Sequence, residues 1–102
     1  MLNDPVFDFL MSGPLPAERT SPSAIKNRQE QLERIPTPIS LGDAHLLVKM
    51  FGPDDCFGLS RKLIQLIETA PGWASELRIP EGEEPGLLDL RYRAEMARKT
   101  QG

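Results

Sequence analysis

Residues 40–73 read SLGDAHLLVKMFGPDDCFGLSRKLIQLIETAPGW. Ser40 is a helix N-cap, with Asp43 three residues on as an acidic variant of the capping box. Leu41, Ala44, Leu47, Val48 and Phe51 then recur at helical spacing until Gly52-Pro53 breaks the run. Asp54 or Asp55 is placed to cap a following helix, whose apolar positions Cys56, Leu59, Leu63, Ile64, Leu66, Ile67 and Ala70 cover more than one face. That breadth predicts the most buried helix of the fold, and Pro71-Gly72 closes it. Two apolar helical patterns around a four-residue hinge need the rest of the chain as cover, which makes the class all-α.

The flanking sequence supplies that cover in short helical pieces. Asp4-Pro5 is an N-cap acceptor followed by the residue that loses no hydrogen bond at the first helical position. The helix it starts runs through Met11 with Val6, Phe9 and Leu10 on one face. Gly13, Pro14 and Pro16 make residues 13–20 read as a surface linker. Ser21-Pro22 repeats the start signal for a helix to Ile35, with Ile25, Leu32 and Ile35 on a narrow stripe. Lys26, Arg28, Glu30, Glu33 and Arg34 surround that stripe as a solvated face, and Pro36-Thr37-Pro38 stops the helix. After Trp73 the periodicity lapses. Leu77 and Ile79 alternate with charged neighbours as a short extended segment would, limited by Pro80 and by Glu81-Gly82-Glu83-Glu84. Glu84-Pro85 starts the last helix, with Leu87, Leu90, Ala94 and Ala97 as its inward stripe and Arg98 and Lys99 near its C-terminal end. The expected architecture is a single small domain over 1–102 with four to five short helices and Pro/Gly-rich connections. Residues 1–20 form an N-terminal helix and linker, and 21–102 form the main helical body.

The chain has 102 residues, 39% apolar and 26% charged, a composition that supports one core and an ordinary soluble surface. A formal charge of −3 lacks the basic excess of a general phosphate-binding surface. No apolar run approaches the roughly 20 residues that span a bilayer. Asp4 and Asp8 stand where a signal peptide carries positive charge. One cysteine permits no intrachain disulfide and suits a reducing cytoplasm.

Chemistry is sparse in this inventory. His45 and Cys56 are the only histidine and cysteine, so a zinc site would need carboxylates to complete it. A Cys56 nucleophile with His45 as base is conceivable across the hinge, but Cys56 as a small buried hydrophobe and His45 on the outer side of its helix is the plainer reading. No nucleotide-binding, nucleophile-elbow or zinc-protease motif occurs. No catalytic residue, metal or cofactor is expected, and the chain reads as a non-enzyme. The helix, turn and helix around Phe51 to Phe57 could also be a small DNA-binding unit, with Ser60, Arg61 and Lys62 on its recognition helix. Phe51, Phe57 and Tyr92 read as core filling. Trp73, just beyond the broad helix, is instead a candidate interface anchor.

The segments FGPDDCFGLSRKLIQLIETAPGW (51–73) and LLDLRYRAEMA (87–97) resemble a group of small uncharacterised bacterial proteins, some associated with immunity against toxins. Arg61-Lys62 and Ala74-Ser75-Glu76 depart from that group's pattern, so no functional residue is carried over. The resemblance implies a protein partner, a toxin in the immunity case. Read from the residues, the protein-binding surface is Asp54, Asp55, Trp73, Glu81, Glu83 and Glu84, an aromatic beside a charged rim.

Overall fold

The computed structural model describes residues 4–17, 19, 21–53 and 58–101. Among these the chain forms helices α1 (Pro5–Met11), α2 (Pro22–Glu33), α3 (Leu41–Leu47), α4 (Leu59–Ile67), α5 (Trp73–Glu76) and α6 (Pro85–Gln101), and no strand. The starts follow local chemistry. The Val6 N–H donates to Asp4 Oδ1 at 2.9 Å, the Ala24 N–H to Ser21 Oγ at 3.2 Å and the Asp43 N–H to Ser40 Oγ at 3.1 Å, each satisfying one donor of a first turn. Pro5 and Pro22 occupy the first helical position of α1 and α2.

Helix α4 is the centre. Leu59, Ser60, Leu63, Ile64, Leu66 and Ile67 are buried out of its nine residues, so its apolar surface exceeds any single face. It packs on α2, α3 and α6, while α1 covers α2 and α3, and α5 lies against α3 and α6. Thr69, just past α4, donates its hydroxyl to Leu66 O and accepts the Ile39 N–H at 3.1 Å, tying the proline-rich turn after α2 to the central helix.

Several sequence expectations are corrected by packing. Among the described residues six helices form where four to five were expected, because the stretch after Pro71 closes into α5 behind Gly72, whose φ of 76° few other residues adopt. Leu77 takes the extended backbone expected of it and is buried, while Ile79 lies outside any regular element and packs on the core. Helix α3 ends at Leu47, although Val48 and Phe51 are buried beyond it as their spacing implied. Helix α4 begins behind Gly58, at φ 88°, so neither Asp54 nor Asp55 occupies its N-cap position.

The stretch after α1 is part of the core. Leu15 is buried and its N–H donates to Met50 O at 2.8 Å. This brings the Leu15 carbonyl so close to Gly52 that a Cβ there would collide with it. Gly86 plays the same part at the start of α6, where a Cβ would meet the Phe51 ring.

Arg28 belongs to the interior as well. It is only 7% exposed. Its guanidinium donates from Nη1 to Ser12 O at 2.8 Å, and from Nη2 to Gly13 O at 2.6 Å and Phe9 O at 3.3 Å. Those carbonyls end α1, where the backbone lacks helical partners and the helix dipole is negative. The guanidinium carbon also stands 4.3 Å from the centroid of the Phe9 ring, a cation–π geometry.

Candidate functional site

Of the residues read from sequence as a binding surface, Trp73, Glu81, Glu83 and Glu84 lie among the described residues. Asp54 and Asp55, with Cys56, lie outside the described residues. Trp73 opens α5 and is half-buried, packed against the hydrophobic core. Glu81 and Glu83 are exposed and Glu84 is half-buried. Glu81 and Glu84 together border a cleft of about 220 Å³ whose opposite wall is Val48, Lys49 and Phe51.

The backbone leading into the acidic segment is held at two points. Upstream, the Arg78 N–H donates to His45 Nε2 at 3.2 Å, and His45 Nδ1 lies 3.0 Å from Leu41 O. An accepting Nε2 leaves the proton on Nδ1, which donates to the carbonyl. Both ring nitrogens of His45 are thus engaged by main-chain groups, a structural use of the side chain. Two residues on from Arg78, Pro80 O accepts from the Arg91 guanidinium of α6. The glutamates therefore project from backbone tethered to α3 and α6.

The last of them leads into an exposed apolar line on α6; α1 carries a shorter one at Phe7 and Met11. On α6, Leu88 is 47% exposed, Tyr92 61% and Met96 42%, spaced four residues apart so that they align along the helix. The opposite face carries Leu87, Leu90 and Ala94 into the core. Tyr92, expected to fill the core, instead points outward one helical turn from Leu88. The 88-92-96 repeat was present in the sequence, but it sits beside a stronger apolar stripe that accounts for the helix alone. Around it lie Asp89, Arg91, Arg93 and Glu95, and Arg93 makes ion pairs to Glu68 Oε2 at 3.3 Å and to Asp89 Oδ1 at 3.4 Å.

For the alternative nucleic-acid surface, Arg61 and Lys62 are exposed on α4 but Ser60 is buried. Two positive side chains remain on that face, with Glu33 lining the same groove as Lys62. Among the described residues no group of three or more His, Cys, Asp or Glu could hold a metal ion. No described helix is long and apolar enough to cross a membrane. Comparisons of the chain with protein-family models, with curated proteins and with solved structures return no match.

Proposed function

We propose that this protein is a non-catalytic protein-binding module whose contact surface runs from the acidic segment Glu81, Glu83 and Glu84 onto the outer face of α6. The observation that carries the reading is the exposed line Leu88, Tyr92 and Met96. Apolar surface of this kind, rimmed by charge, is the anatomy of a protein interface. Acidic side chains at its edge would steer a basic partner and set the rate of encounter more than the final affinity. In the immunity-type form of the reading, the partner is a bacterial toxin in the cytoplasm and the mechanism is steric and electrostatic blockade.

Photo-cross-linking residues placed singly at Glu83, at Leu88 and, as a control, at Lys26 on α2 test the surface in cells. Adducts with a different protein at 83 or 88 but not at 26 are expected; self-adducts alone, equal labelling at all three, or none, overturns the reading. For the toxin form, co-expression with the captured protein should restore growth, and Glu81→Lys with Glu83→Lys should abolish the rescue while leaving the circular dichroism unchanged.

A further inference from the structure

The outer face of α6 is complementary to itself. Helical geometry puts Asp89 and Arg93 on one side of the Leu88-Tyr92-Met96 line, and Glu84, Arg91, Glu95 and Arg98 on the other. Glu84 joins the helix directly, since the Leu88 N–H donates to its carbonyl at 3.0 Å. A twofold axis perpendicular to α6 at Tyr92 sets two copies antiparallel and brings each flank against the same flank of its mate, as any isologous interface requires. Leu88 then faces Met96 of the other copy, and the two Tyr92 rings meet at the axis.

The charges follow the same operation. Asp89 comes to within two residues of the level of the other copy's Arg93, which is about 3 Å along the axis. Arg91 stands equally near the other copy's Glu95, and Glu84 near its Arg98. Each of these three pairs is of opposite sign and occurs twice, and together they outnumber the like pairs Arg91–Arg91 and Arg93–Arg93, which the same axis brings once each to a similar separation in level. A parallel pair would instead crowd Arg98 and Lys99 of both chains at one end and align the two helix dipoles unfavourably.

We infer that the protein self-associates through an antiparallel α6–α6 contact centred on Tyr92, with a second copy of this chain as the occupant of that face. The inference rests on the reading of this surface as an interaction site, and it divides the surface: α6 is taken by the second copy, and Glu81 and Glu83 are left at each end of the pair for a different protein. One helix pair covers less than the roughly 800 Å² per partner of a standard interface, so the dimer is concentration-dependent.

Sedimentation equilibrium of the full chain from about 5 to 500 μM spans the affinities that such an interface supports. The weight-average mass should climb from one chain toward two, and Tyr92→Ala should hold it at one. Tyr92 is the only tyrosine, so photo-oxidation should yield a dityrosine-linked dimer that can form only where two copies meet at that residue. Glu95→Arg and Arg91→Glu should each be monomeric alone, yet associate when mixed, because both cross-chain pairs regain opposite signs; a misfolded variant would not be rescued by mixing. A wild type monomeric throughout, an absent dityrosine product in a dimeric sample, or single variants that dimerise as well as the wild type would overturn the contact. A monomeric wild type that still captures a protein at position 83 would overturn the pair and leave the binding module standing, and a dimer that captures no other protein at 83 would do the reverse.

Discussion

Helices α2 and α6 depart from the usual division of apolar inside and polar outside in opposite directions. Helix α2 buries an arginine, and α6 exposes a leucine, a tyrosine and a methionine. The first departure is resolved within the molecule. Three carbonyls at the end of α1 and the face of Phe9 receive the Arg28 guanidinium, so its charge is balanced by dipoles that would otherwise be left bare. The second departure leaves apolar surface accessible, while the inward stripe of α6 makes its contacts with α4 and α5. A buried polar group satisfied by its own chain stabilises the fold, whereas an exposed apolar line with matched charges beside it points to another molecule.

The largest effect should separate the two faces of α6. Leu90 is fully buried, so Leu90→Ala should cost about 2–5 kcal/mol in urea unfolding. Leu88→Ala, two residues away, should stay within about 0.5 kcal/mol at concentrations where the protein is monomeric. Equal losses would mean that Leu88 is a core residue, and the contrast between the helices would fall. Next in size is Arg28→Ala on α2, expected to cost about 2–3 kcal/mol because it strips charged donors from buried carbonyls. Arg28→Lys should recover only part of this, as an ammonium cannot reach three acceptors with the planar fork of a guanidinium. Full recovery would show that charge alone, and not the geometry at the end of α1, holds α1 on α2.

The smallest effect should come from the other kind of arginine. Arg93 on α6 makes its ion pairs at a solvent-accessible surface, with side-chain exposure of 34%. Arg93→Ala should therefore change stability by no more than about 0.5 kcal/mol. Its consequence should instead be seen in the sedimentation experiment, as weaker self-association. Trp73 supplies a spectroscopic check on the same division between fold and surface. Packed on the core, it should emit at blue-shifted wavelengths and resist aqueous quenchers at every protein concentration. A red-shifted emission that changes on association would return Trp73 to the interface.

Much of the fold was legible from local signals, while little of the candidate site was. Asp4, Ser21 and Ser40 announce helix starts because a short side-chain acceptor next to the first turn has one favourable use there. Leu59, Leu63, Ile64, Leu66 and Ile67 announce the central helix because apolar positions around more than one face require burial on more than one side. Trp73 and Tyr92 were harder to place. Each is an aromatic near the end of an apolar pattern, and the same local sequence is compatible with packing inward or standing out. The structure packs Trp73 partly on the core and turns Tyr92 outward, against its expected place inside.

By itself the sequence determined the all-α class, the starts of α1, α2 and α3 and the central place of α4, since caps, proline stops and apolar periodicity act within a few residues of chain. Only the tertiary structure decided that Arg28 turns inward, that Leu15 belongs to the core and that Leu88, Tyr92 and Met96 remain outside. Those outcomes depend on which backbone arrives opposite each side chain. Carbonyls 15 to 19 residues away receive Arg28, Met50 just past α3 receives Leu15, and Leu88, Tyr92 and Met96 keep 42–61% of their surface exposed; helical spacing along the chain encodes none of these outcomes.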